Sequence, residues 1–543
     1  MTVATMRWAF ATSRVLLVMD VIIKRGREDT MEAFREPYHA ALKKLQWFQR
    51  NQPTESPSTS SRLSEAGKAA RNALILGAAQ TILPATSSSS DTSSTMPPAN
   101  TRPSETSPLL SAQGNGHDIE QQRNSTCDAN PKKRGVVWGL LTLLFAAALI
   151  LMLGFEDKVA DTLGPWLGLL PHDPALAALI ILDHAPIIDG HIDLPIRIRS
   201  QYRNNVTAVD LEKPMSGHVD IPRLRKGKVG AFFWSTYVRC GDPKIEGKDF
   251  LGATWRVRDT LEQIDVSKLL IAKYPETFRL ALNAADVESA ITAGKIASLL
   301  GVEGGHQLGN SIAVLRQYHD LGVRYLTLTH TCHNAFADSC GFEPGMIPLH
   351  NGLSSLGVTL VEEMNRLGVL VDLSHTSDAT AKHAIKVSKA PVIWSHSSAR
   401  AVHNVPRNVP DDVLELIGRG ENQTDAVVMV NFAPFFIAQP GKADVQAVAD
   451  HVEHIANVTS KVHVGIGSDF DGIGEVPAGL EDVSKYPALI AELYRRGWTK
   501  YELGGLTGGN LLRVLRKAEQ VAHELQIAGT PPKFDIYDKR VDL

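Results

Sequence analysis

The stretch "PIIDGHIDLP", residues 186–195, sets His191 and Asp193 two positions apart behind an apolar run. On a β-strand residues i and i+2 project from one face, so these side chains are predicted to point together, with Asp189 in line behind them. An imidazole and a carboxylate so placed can grip a metal ion, although one such pair also suits an ordinary strand end. Similar endings recur down the chain. Glu303 lies in "ASLLGVEG", His330 ends "VRYLTLTH", His375 ends "GVLVDLSH", His396 ends "PVIWSH" and Asp469 lies in "VHVGIGSDF". A lone terminal histidine is ordinarily a satisfied structural residue; a series of them on successive apolar runs points to a shared centre.

The simplest allocation gives one ion His191, Asp193 and Glu303, and a second ion Glu303, His375 and His396, because a carboxylate has two oxygens and can bridge. Glu303 is followed by Gly304 and Gly305, where backbone and ligand can approach closely. Imidazole and carboxylate ligands with an open position suit Zn²⁺. Two such ions, held about 3.5–4 Å apart, would acidify a bridging water to hydroxide and polarise a carbonyl. That chemistry is hydrolysis. His330 and Asp469 remain as groups to contact substrate and carry protons.

The elements that must position these residues are legible as apolar runs over 186–193, 229–238, 297–304, 323–330, 368–375, 391–396, 426–432 and 462–470. They are continuous rather than alternating, as expected of parallel strands covered on both faces. Between them lie helical patterns. In "LSSLGVTLVEEMNRLG", Leu353, Leu356, Leu360, Met364 and Leu367 form one stripe, with Glu362, Glu363 and Arg366 elsewhere. Eight strand and helix units predict an α/β fold, a closed (β/α)₈ TIM-type barrel with its chemistry at the C-terminal strand ends. Nucleotide-binding alternatives are disfavoured. "GIGSDF" puts Phe470 where the third glycine of a dinucleotide fingerprint belongs, and "GVEGGHQLGN" lacks the Lys-Ser/Thr of a phosphate loop.

The chain has 543 residues, with 56 Lys+Arg and 59 Asp+Glu. Residues 1–134 hold 17 Lys+Arg against 12 Asp+Glu, which leaves 39 against 47 for the rest. The larger part is acidic, and nothing suggests that it binds nucleic acid. Residues 51–131 are rich in Ser, Thr and Pro and are predicted to be mainly disordered. Residues 135–155 carry no charge and match the length of a transmembrane helix, with Lys132, Lys133 and Arg134 before them and Glu156 and Asp157 after. The positive-inside rule then predicts a single-pass type II membrane protein with its catalytic part lumenal or extracellular. The sequons at Asn205, Asn422 and Asn457 fall on that outer side as candidate glycosylation sites. The expected division is a cytosolic arm over 1–134, the membrane helix, a linker over 156–181, the barrel over 182–530 and a tail over 531–543.

In order along the chain, "DGHIDLP", "GVEGGHQLG", "GVRYLTLTHTC", "VDLSH", "SHSSAR", "RNVPDDVL", "GSDFDG" and "GLEDVSKYPALIAELYRRGWT" resemble the membrane dipeptidase (renal dipeptidase) family of binuclear zinc peptidases. The resemblance runs from about residue 182 to about residue 525 and does not cover the first 180. It implies a (β/α)₈ barrel, usually a homodimer, with two Zn²⁺ ions per subunit that cleaves dipeptides, Cys-Gly units among them. It makes His191, Asp193, Glu303, His375 and His396 the metal ligands. Glu303, His330 and Asp469 become catalytic, with His330 contacting the substrate carbonyl and Asp469 the acid/base. Arg407 becomes the clamp on the substrate's C-terminal carboxylate, a role that suits a bidentate guanidinium; without the resemblance it reads as a solvated surface arginine. The resemblance also pairs Cys240 with Cys332 and leaves Cys340 free. There are departures: His333-Asn334-Ala335-Phe336 stands where the family commonly has Asn-Thr-Pro-Trp, and His403 replaces a cysteine of animal members. Lactone, phosphotriester or deamination chemistry on the same barrel, or an inactive binding protein, are the alternatives.

Overall fold

The computed structural model describes residues 143–145, 170–241, 254–341 and 344–540. The chain divides into two units, Met1–Ser125 and Thr126–Leu543, and every described residue belongs to the second. The arm, its disorder and most of the linker therefore lie outside the described residues.

Nine parallel strands form one sheet: β1 (Ile187–Ile192), β2 (Val229–Ser235), β3 (Phe278–Leu280), β4 (Ile296–Glu303), β5 (Val323–Thr327), β6 (Leu370–Asp372), β7 (Val392–Trp394), β8 (Ala426–Val430) and β9 (Val464–Ile466). The order is β2-β1-β9-β8-β7-β6-β5-β4-β3, and an additional β2–β4 pairing closes the ring. Eight strands thus make a closed parallel barrel surrounded by helices, the architecture expected from the alternating runs. Strand β3 was not anticipated. It has three residues and pairs with Ile296–Ser298 of β4, on the edge that β5 takes further along.

The continuous apolar runs have a direct cause. In β8, Ala426, Val428 and Val430 pack outward into the larger core with the helices, whereas Val427 and Met429 pack inward with Ile188, Ala231, Phe233, Leu299, Tyr325, Leu370 and Ile393. Both faces are dry, so both must be apolar. The helix Asn510–Ile527 closes the N-terminal end: Leu511, Val514, Leu515 and Ala518 join the inner core, and Asn510 Nδ2 donates to the carbonyls of Lys461 and Val464 at the start of β9.

Helix boundaries follow local chemistry. Ser354 caps Ser355–Leu367 by accepting from Gly357 N at 3.0 Å, and Gly368, at φ +78°, ends it in the left-handed conformation that glycine favours. Leu356, Leu360 and Met364 are buried as the stripe predicts, but Glu363 is buried as well. It is held by Arg316 at 3.0 Å and Arg366 at 2.8 Å, so the charge is neutralised in place of being solvated.

The single-pass membrane placement is not upheld. No helix among the described residues is long and apolar enough to cross a membrane. Of the expected span over 135–155, only residues 143–145 are described. The side chains of Asn205, Asn422 and Asn457 are exposed.

Candidate active site

The strands deliver their terminal side chains to one mouth, though not all by simple alternation. In β1 the register is irregular between Asp189 and Ile192. An interruption of that kind re-aims the residues that follow it. Asp189 faces away from the centre, accepting from Ser468 N at 3.0 Å, His191 N at 2.8 Å and the Tyr486 hydroxyl at 2.5 Å. His191 instead faces the interior, and its Nε2 lies 3.2 Å from Asp193 Oδ2. Asp193, His330, His375, His396 and Asp469 all stand just beyond their strands, in the turns. His375 and Asp469 adopt φ +64° and +66°, strained for non-glycine residues.

Glu303, the last residue of β4, is the hub. Its Oε1 lies 3.1 Å from His375 Nε2, 3.2 Å from His396 Nε2 and 3.8 Å from His330 Nε2; its Oε2 lies 3.6 Å from His191 Nε2. His375 and His396 bring their Nε2 atoms within 3.1 Å of each other. Three groups could each hold a cation: His191, Glu303 and His396; Glu303, His330 and His375; and His191, Asp193 and Asp469. These groupings overlap the expected allocation without reproducing it, since the His396 ring lies 3.8 Å from that of His191 and 5.1 Å from that of His375. Cys240, His306 and Cys332 also converge, but the two cysteines are joined in a disulfide with Cα atoms 6.1 Å apart. Cys340 is free.

Burial sets the electrostatics. It pushes Glu303 well above the usual carboxylate range despite the opposing pull of His191, and it raises Asp469 to about 7. The same desolvation drives His330, His375 and His396 well below the usual imidazole range. For His191 burial alone would lower the value, but the charges of Glu303 and Asp193 outweigh it and lift the imidazole to about 10. A dry cluster of this composition lacks enough positive charge to satisfy its carboxylates. The Nε2 atoms of His375 and His396 crowd Glu303 Oε1 and each other, and Asp193 Oδ1 and His375 Nδ1 are buried without a hydrogen-bond partner. Convergent nitrogen and oxygen donors short of a cation fit a metal centre.

Arg407 is only 4% exposed, so it is no solvated surface residue. Its Nη1 donates to Ser397 Oγ at 2.8 Å and its Nη2 to the His396 carbonyl at 3.1 Å, while Nε is buried and unpartnered. Residues the sequence reading passed over also shape the mouth. The Tyr237 ring lies 4.7 Å from that of His330, Asn431 donates to Asp469 at 2.9 Å, and Tyr325 meets His191 Nδ1 at 2.8 Å. For Tyr325 a signal existed in Gly301, whose added Cβ would come within 2.1 Å of that ring.

Residues 177–529 match the family described as membrane dipeptidase (peptidase family M19). The chain belongs to that family. An uncharacterized dipeptidase of Schizosaccharomyces pombe is 44% identical over 402 residues, covering 73% of this chain and 93% of the relative. Dipeptidase aclJ of Aspergillus oryzae is 46% identical over 362 residues, covering 65% and 83%. A metallopeptidase from Rhodobacter sphaeroides, solved with a phosphinate mimic of the dipeptide L-Ala-D-Ala, superposes with a TM-score of 0.55 at 27% identity, covering 61% of this chain and 99% of that one. The protein is a metallo-dipeptidase. The mouth around Glu303 is its candidate active site.

Proposed function

We propose that this dipeptidase works with two zinc ions held by His191, Asp193, Glu303, His375 and His396, with Glu303 shared between them. The observation that carries the reading is the placement of Glu303, one oxygen toward His191 and the other toward His375 and His396. Bound zinc would lower the pKa of a water at the site to about 7 and polarise a carbonyl oxygen.

The chain's own groups supply the rest. Asp469, lifted to about 7 by burial and steadied by Asn431, is poised to take a proton from the attacking water and give it to the leaving amine. His330, kept neutral by burial, offers an N–H to the carbonyl oxygen as negative charge develops there. Arg407, beside His396 and Ser397, receives the substrate's free C-terminal carboxylate. A carboxylate clamp next to the hydrolytic centre limits the substrate to one peptide bond, and it disfavours neutral lactones and phosphotriesters. The Rhodobacter relative's ligand supports L-Ala-D-Ala as a first substrate; Cys-Gly is the second, on the family resemblance alone.

A comparison of L-Ala-D-Ala with its C-terminal amide tests the clamp. Hydrolysis of the free acid alone is expected; equal kcat/KM for the two would remove the carboxylate from the account.

A further inference from the structure

Behind the histidines lies a buried carboxylate that nothing above employs. Asp372 ends β6 on the interior face and is fully buried. Its Oδ1 accepts from Ser395 N at 2.8 Å and Ser374 N at 3.1 Å; its Oδ2 accepts from Thr327 Oγ1 at 2.5 Å and Ser395 Oγ at 2.6 Å. An ionised carboxylate only accepts, so the one hydroxyl proton of Ser395 is committed to Asp372. Ser395 Oγ must then act as acceptor for its other neighbours. His396 Nδ1 lies 2.8 Å from it, and Ser374 Oγ is more distant at 3.3 Å.

The directions propagate. His396 Nδ1 carries its proton toward Ser395, which leaves the Nε2 lone pair facing Glu303. Asp372, Ser395 and His396 are each at most 1% exposed, so no solvent competes for these bonds.

We propose that Asp372 is a positioning residue that, through Ser395, fixes the tautomer of His396 and presents its Nε2 to metal. The inference rests on the metal reading given above. It gives the serine of "VIWSH" a task, relaying the acceptance of a buried carboxylate to the histidine beside it.

Zinc affinity of the purified full-length chain, stripped with a chelator and titrated against a chromophoric competitor, tests it. Asp372→Asn places N–H donors where only acceptance is tolerated, turns the Ser395 proton toward His396 and reverses its tautomer. One zinc-binding step is expected to weaken about 10–100-fold while the other stays near the parent value, a split that general loosening of the barrel would not produce. Ser395→Ala, which leaves the carboxylate with its Thr327 and backbone partners, should weaken the same step, and carries the test if Asp372→Asn does not fold. Parent-like affinity at both steps in either variant, or equal weakening of both steps, overturns the inference. A parent chain that takes up no zinc overturns the metal reading itself.

Discussion

The mouth of the barrel has two unlike halves. On the β1 and β9 side, carboxylates surround one imidazole: Asp193 and Asp469 group with His191, and Asp471, raised to about 6 by burial, lies next along the turn. On the β5 to β7 side the groups are imidazoles and a guanidinium: His330, His375, His396 and Arg407. Desolvation acts on both but in opposite senses, raising Glu303, Asp469 and Asp471 and lowering the three histidines. Each half is thereby pressed toward neutrality. One half is suited to carrying a proton, the other to receiving a carbonyl oxygen and a carboxylate, and Glu303 belongs to both.

That division can be broken experimentally, most severely at the hub. Glu303→Ala should abolish turnover and lower zinc content on both sides at once; retention of one full-affinity ion would show that the halves do not share this carboxylate. Asp469→Asn should lower kcat by about 10²–10⁴-fold with zinc content and KM little changed, which stopped-flow or steady-state assays with metal analysis would resolve. Arg407→Met removes charge-assisted hydrogen bonds of about 1.5–3 kcal/mol and should raise KM about 10–100-fold, more than it lowers kcat. A kcat loss at constant KM would place Arg407 with the proton-carrying half instead.

The smallest effect concerns a histidine outside both halves. His451 is fully buried, accepting from Ala399 N at 3.0 Å and donating Nε2–H to the Ile437 carbonyl at 2.9 Å. Desolvation lowers its pKa to about 4, from about 6.5 when unfolded. Between those values the unfolded chain binds a proton that the folded chain refuses. This contribution to stability is therefore intact above about pH 6.5 and is lost as pH falls toward about 4, by at most roughly 3 kcal/mol. His451→Gln should be less stable at pH 8 but lose less on acidification, as followed by denaturant midpoints. An unchanged acid slope would assign the loss to the mouth.

The barrel was legible because strands buried on both faces cannot hide their apolar character, as in "AVVMVNF" for β8. The metal-ligand candidates, His330 and Asp469 were legible because each stands at the end of such a run or in the turn just after it. Geometry within the site was less so. The irregularity in β1 that separates His191 from Asp189 leaves no mark in residue types, and strict alternation would have aimed both the same way. Asp372 and Tyr325 read as ordinary strand residues, since their importance comes from neighbours on other strands. Glu363 follows the polar side of its helix in sequence but meets Arg316, brought from another helix. Arg407 is a loop residue whose burial no local pattern announces.

The central claim, two zinc ions sharing Glu303 and driving dipeptide hydrolysis, is tested most directly by titrating zinc into the chelator-stripped enzyme while following L-Ala-D-Ala cleavage. The account predicts an inert stripped enzyme and activity that reaches its plateau as the second equivalent of zinc binds. Full hydrolysis by the stripped enzyme, or a fully zinc-loaded enzyme inert on L-Ala-D-Ala and Cys-Gly alike, would contradict it.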